Sequence, residues 1–445
     1  MFLRRFHMNS ILSGMIVVLV SACSATVSAR ESLDLPEPAL PTRVCAKLAP
    51  IAASSTEDDT QRLQSAVDHC PQGAAVQLQA GRFASGPLNM KSGVTLWLLR
   101  GAVLAANTDP RVYDKNGHCG TLDHKGNGCR PFILFNATSG AGITGEGTID
   151  GQGGEPMKGK NESWWQLARR AQKEGGAQNV PRLIEADNAS AIVFHGISLR
   201  NSPGFHVILK NVNDATFWGV RIDTPADARN TDGIDPISSQ NILIAHSFIR
   251  TGDDNVAIKA GAGGATRHVV LLDNHFYWGH GMSIGSETVG GVSDIYVRDL
   301  TLDGTTSGLR IKSDVSRGGL VSDIRYENIC LRGNRRPVDF DTQYDAHAVG
   351  HAIPVYRNIS LRHVSGETGQ LIVKGYDALH PVQIVLNGVH FSNAARWLIE
   401  SAQISAGPDG VSPVPPGEAG LNAITATRDC ATRWVPFPVT GASVH

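Results

Sequence analysis

The 445-residue chain lacks a charge excess of either sign: 40 Lys and Arg face 41 Asp and Glu, leaving −1 at pH 7. With no global basic field a nucleic-acid partner is not expected, and an acidic partner has to be held by locally placed cations. After about the first thirty residues no run is long and apolar enough to cross a bilayer as a helix. No phosphate loop, dinucleotide fingerprint or Ser-centred nucleophile elbow occurs. Helix signals are scarce too, almost vanishing after Thr60 to Cys70, where Leu63, Ala66 and Val67 share one face. What is plentiful is glycine, 48 residues or about 11 % against a typical ~7 %, which points to many tight turns. At 41 % hydrophobic and 18 % charged residues the chain is not disordered. Its length exceeds one ordinary core, so it forms either several domains or one elongated repeat structure.

The N-terminus reads as an export signal: Arg4 and Arg5, then an apolar run from Ile11 to Val20 too short to span a membrane. Release after Ala29 and lipidation at Cys23, following Val20-Ser21-Ala22, are both compatible with residues 1–29. Either leaves six cysteines, and an even number in an exported chain implies disulfides. Proximity, and the need to tie down the C-terminal tail, favour Cys45–Cys70, Cys119–Cys129 and Cys330–Cys430. His118, Cys119, His124 and Cys129 admit a zinc reading, but a disulfide-closed loop suits an exported protein better.

The dominant pattern is a repeat, apolar-x-apolar-x-turn-apolar-x-apolar. Copies start at Ile192, Ala215, Ile242, Val269, Ile295 and Ile324, spaced 23, 27, 27, 26 and 29 residues. Looser copies start at Pro354 and Ile384, and a fragment at Ile143. Alternation within each copy is that of a strand, and the fifth position is Gly, His, Asp or Asn, which suit positive φ. Strand repeats at this period specify a parallel β-helix, here all-β, right-handed and of about ten coils, with a short N-terminal capping helix. An evenly spaced β-sandwich is the alternative. The expected layout is a leader over residues 30–59, the β-helix over 60–400 and a Pro/Gly/Ala-rich tail over 401–445 packed on it. Gln152 to Arg182 interrupts the repeat with a short helix, where Trp164 and Trp165 either stack on a ligand or pack the insert onto the body.

Four polar clusters lie between the copies: Asn230-Thr231-Asp232-Gly233, Gly252-Asp253-Asp254-Asn255, Gly279-His280-Gly281 and Arg310-Ile311-Lys312. Asp232 to Asp253 is 21 residues, Asp253 to His280 is 27 and His280 to Arg310 is 30, each near one coil. Adjacent parallel strands lie about 4.8 Å apart, so residues one coil apart become neighbours. Three carboxylates, an imidazole and two cations therefore stack on one side. A regular strand would turn one of Asp253 and Asp254 inward, and Gly252 permits a bend that turns both outward. Crowded carboxylates retain a proton on one member beside ionised neighbours, the arrangement glycosidic cleavage requires. Arg310 and Lys312 suit an acidic sugar. Asp235 reads as a turn residue before Pro236 and Lys259 as an exposed lysine. A calcium ion would be repelled by Arg310 and Lys312, so neither metal nor cofactor is expected.

NTDG, GDD, GHG and RIK, in this order and spacing, resemble the polygalacturonase family of glycoside hydrolases (family 28), and the resemblance extends from about residue 56 to 395. It implies inverting hydrolysis of α-1,4-linked galacturonic acid in pectin. Asp253 would be the general acid, Asp232 and Asp254 would hold and activate water, and His280 would help set the protonation of the acid. Arg310, Lys312, Tyr344 and Asn230 would contact substrate. Asn255 departs from the Cys of many fungal members and matches bacterial ones. The implied partner is polygalacturonate, met outside the cell or in the periplasm by a monomer. The alternatives are a rhamnogalacturonan hydrolase, a calcium-dependent β-helical pectate lyase, and a non-catalytic polysaccharide-binding solenoid.

Overall fold

A computed structural model of the protein describes residues 35–51, 58–392, 394–417 and 429–438. The two candidate signal-processing positions, parts of the leader and much of the tail lie outside the described residues. The unit from Pro38 onward is the body considered below.

That body is a right-handed parallel β-helix. Each repeat copy contributes strands that pair in register with the next: Ile192 faces Ala215, Ala215 faces Ile242, Ile242 faces Val269, Val269 faces Ile295 and Ile295 faces Ile324. These side chains point inward and are fully buried. Alternation in sequence thus becomes an apolar row along the axis, each coil covering the one before it. Phenylalanines form a second row: Phe194 lies 4.6 Å from Phe217, stacked, and 5.8 Å from Phe135, edge-on. Such pairs add about 0.5–1.5 kcal/mol each beyond the area they bury.

The fifth position of each of the first six copies has positive φ, from 51° at Asp273 to 69° at Gly196. The copy read from Pro354 is out of register by five residues. Ile324 faces Ile359, not Pro354, and the turn belongs to His363 at φ 51°. Each long strand here carries a left-handed residue at both ends of its central segment, Asp323 and Asn328, then Asn358 and His363, so the pattern recurs at a five-residue offset. The next copy, from Ile384, is in register.

A second stack of eleven parallel strands among the described residues runs from Leu88–Asn89 to Arg396–Glu400. It includes Val207–Lys210, Ile234–Ile237, Val256–Ile258, Met282–Ile284, Ser307–Lys312 and Arg336–Asp341, and it carries the polar clusters. The helix Thr60–His69 buries Leu63 and Val67 against the first coils, and the Cys45–Cys70 bond fastens it. Cys119 bonds Cys129, so neither offers a thiolate to a metal, and Cys330 bonds Cys430. The segment after Cys430 packs on the coils: Tyr277 donates a 2.7 Å hydrogen bond to the Val435 carbonyl, and Arg332 sits over Trp434. Parallel pairing itself continues to Val411–Ser412.

In the insert the helix Trp164–Glu174 starts with a reciprocal cap between Ser163 and Gln166 and ends at left-handed Gly175. Trp164 is buried and Trp165 donates its indole N–H to the Ser202 carbonyl at 2.9 Å. The pair thus packs the insert onto the body. A helix with one apolar side needs such anchors to stay on a solenoid.

Candidate active site

Each acidic cluster sits in the bend that leads into a strand of the second stack. Asp232 precedes Ile234–Ile237, Asp253 and Asp254 precede Val256–Ile258, and His280 precedes Met282–Ile284. Strand alternation therefore does not govern Asp253 and Asp254, and both reach the same groove. Thr231 ties two bends together: its hydroxyl accepts from Gly252 N–H at 2.9 Å and donates to the Ala228 carbonyl at 2.7 Å. Asn255, fully buried, holds the third. Its amide donates to the Ile249 and Trp278 carbonyls, and its oxygen accepts from Gly281 N–H at 2.9 Å. Asn255 thus places the turn carrying His280.

Arg310 and Lys312 alternate along the strand Ser307–Lys312, bracketing inward Ile311, so both face the groove. Lys312 Nζ lies 2.8 Å from Asp254 Oδ2, and an Arg310 nitrogen 3.5 Å from Asp254 Oδ1, which also accepts from Ser283 at 2.7 Å. His280 Nδ1 is 3.0 Å from Asp253 Oδ1, and Asn230 donates to Asp253 Oδ2 at 3.3 Å. The Tyr344 ring, partly exposed, lies 5.3 Å from the Arg310 guanidinium and 5.4 Å from the Lys312 ammonium. Every residue expected at the site from sequence lines or adjoins one groove of about 600 Å³.

Two residues read as bland belong here. Asp235 is no turn residue: it lies in the strand Ile234–Ile237 with no exposure. Lys259 is not exposed either, because its ammonium is drawn between Asp235 Oδ2 at 2.5 Å and Asp232 Oδ2 at 3.3 Å. Ser283 was also missed. The coil period signals them, since Ser283 lies 27 residues before Arg310 and Asp235 24 before Lys259.

Four carboxylates, Asp232, Asp235, Asp253 and Asp254, thus face three permanent cations, Lys259, Arg310 and Lys312. The excess favours one retained proton. Burial, then the neighbouring charges of Asp253 and Asp235, push Asp232 well above the usual carboxylate range. Burial likewise raises Asp235 to about 6, against the pull of Lys259. Asp254 is pushed up by burial, but Lys312 and Arg310 outweigh this and hold it far below. Asp253 is raised by burial too, yet the His280 hydrogen bond and the charges of His280 and Lys312 leave it below its usual value. The retained proton belongs to a unit that Asp232 shares with Asp253, in which burial and the neighbouring carboxylates push Asp232 up while the His280 contact draws Asp253 down.

Asp253, Asp254 and His280 bring their ligand atoms within 4.8 Å of one another, the spacing of a metal site. The donors are already committed, because Asp254 is neutralised by Lys312 and Arg310, and Asp253 and His280 bond each other. A hard cation wants six to eight oxygens and no cation neighbours, so these residues do not fit one.

Clustered carboxylates with one shared proton, in a cation-lined groove on a parallel β-helix, define a glycoside hydrolase. The sequence model of "Glycosyl hydrolases family 28" matches residues 70–412. The chain belongs to that family. It is 42 % identical to an endo-polygalacturonase of Pectobacterium parmentieri over 87 % of this chain and 96 % of that one. It is 38 % identical to a polygalacturonase of Ralstonia solanacearum over 80 % of each. The solved polygalacturonase from Erwinia carotovora ssp. carotovora superposes with TM-score 0.80 at 41 % identity, covering 84 % of this chain and 99 % of that one. An exopolygalacturonase from Thermotoga maritima shares the fold at TM-score 0.68 and 20 % identity, covering 85 % and 93 %.

Proposed function

We propose that the protein hydrolyses α-1,4-galacturonosidic bonds of polygalacturonate by single displacement with inversion. The observation that carries this is the Asp232–Asp253–Asp254 cluster set directly against Arg310 and Lys312, acid–base groups beside carboxylate binders. The names of the similar proteins support the substrate.

Asp253 is the donor because of where it lies. Its side chain is 17 % exposed against 5 % for Asp232 and 2 % for Asp254, so a glycosidic oxygen reaches Asp253 first. The proton of the coupled unit passes to that oxygen at Asp253 as the C1–O bond breaks. Water attacks C1 from the opposite face and gives its proton to the deeper carboxylates. Arg310, Lys312 and Tyr344 hold the sugar carboxylates and ring. Arg229 lies one coil before Asp253, and Arg335 three coils after it, along the same groove. Cations on both sides of the donor favour binding sugars on both sides of the scissile bond, hence endo cutting. Three disulfides support an exported protein.

Digestion of polygalacturonate followed over time tests this. A spread of saturated oligomers whose first-formed reducing ends are β anomers, unchanged by chelator, is expected. Unsaturated, UV-absorbing products that vanish with EDTA would replace the hydrolase by a lyase, and monomer alone would overturn endo cutting. Activity should also peak below pH 7. The donor is lost as pH rises through the raised pKa of the shared proton, and the base is lost as the carboxylates protonate on acidification. An optimum above pH 8 would contradict the assignment.

A further inference from the structure

Asp232 and Asp254 are not equivalent as acceptors for the attacking water. Both oxygens of Asp254 are engaged, Oδ1 by Ser283 and Arg310 and Oδ2 by Lys312. Asp232 uses only Oδ2, toward Lys259, and its Oδ1 is buried without a hydrogen-bond partner. Lys259 is in turn fixed on every side. Its N–H donates to the Pro236 carbonyl at 2.8 Å, and its carbonyl accepts from Ser238 at 3.2 Å and from the Thr266 hydroxyl at 2.6 Å. Its ammonium is 2.5 Å from Asp235 Oδ2 and 4.9 Å from the Phe205 ring centroid. The ammonium has little freedom to leave Asp232.

We propose that Lys259, anchored by Asp235, is a positioning residue for Asp232: it fixes one oxygen of that carboxylate and balances its charge. This rests on the hydrolytic reading above. When the shared proton moves to Asp253, Asp232 becomes the anion, and Lys259 is the cation that stabilises it there. Asp235 opposes the same charge while holding Lys259 in place. The other charged groups facing Asp232 are Asp253 and Asp254 from the next coil, which His280, Arg310 and Lys312 balance. Glu287 acts on Lys259, and the His206 imidazole meets only the Asp232 carbonyl, at 3.1 Å.

Lys259 and Asp235 act on Asp232 with opposite sign, which separates positioning from plain structural support. The test is the pH profile of kcat on polygalacturonate for Lys259→Met, Asp235→Asn and the double variant. Lys259→Met should lower kcat about tenfold or more with KM nearly unchanged, and move the alkaline limb, where the shared proton is lost, up by about one unit, the effect of losing an opposite charge at this range. Asp235→Asn should move that limb down, and the double variant should return it toward the wild-type position. Shifts of the same sign in both single variants, or none, would overturn the proposal. If Lys259→Met does not fold, the direction of the Asp235→Asn shift decides alone. Failure of the hydrolytic reading would look different, as unsaturated products from the unmodified enzyme.

Discussion

Asp253→Asn should lower kcat by about 10³-fold or more while the variant still binds oligogalacturonides. The amide keeps the shape of the side chain and can still meet Asn230 and His280, but it has no acidic proton to give. Loss of a positioned acid costs about 10²–10⁴-fold, with the upper part of that range expected where the leaving group is a sugar alkoxide. Binding survives because Arg310, Lys312 and Tyr344 are untouched. Folding should survive as well, since removing one of four carboxylates leaves three against three cations and relieves repulsion. Reducing-end release and calorimetric titration with a galacturonate oligomer measure the two halves. Near-normal turnover would remove Asp253 from the donor role.

Gly252→Ala should lower kcat about 10²-fold with a smaller change in KM. A Cβ on Gly252 would lie 2.0 Å from the Ala228 carbonyl oxygen, which backbone cannot tolerate, so one bend must move. Ala228 belongs to the loop that carries Asp232, and Gly252 directly precedes Asp253. The displacement therefore falls on the spacing between donor and base. A misplacement near 1 Å costs about 10²-fold in such sites. Gly261→Ala is the control, because its nearest neighbour would be 3.8 Å away, and it should retain activity. Equal activity in the two variants would show that the close approach of the loops does not set the chemistry.

Much of this was legible in the chain because a solenoid turns sequence separation into distance. Asp253, His280 and Arg310 meet because 27 and 30 residues each close about one coil, and the apolar row from Ile192 to Ile324 follows from the same period. The Pro354 copy shows where that logic slips, for a pattern with left-handed residues at both ends of a segment fits two registers. Asp235 and Lys259 escaped for another reason. A carboxylate before proline and a lone lysine carry no local mark of burial, and only their pairing across coils removes them from water.

The sequence by itself determined the architecture and most of the groups along the groove, because both follow from period, order and residue type, and it favoured the disulfide pairs that the structure contains. Tertiary structure alone decided which carboxylates are pushed up and which are held down, and which cation each one meets. Those depend on desolvation and on distances of 2.5–3.5 Å between side chains from different coils, and Coulomb energies at that range are set by ångström placement that no periodicity encodes.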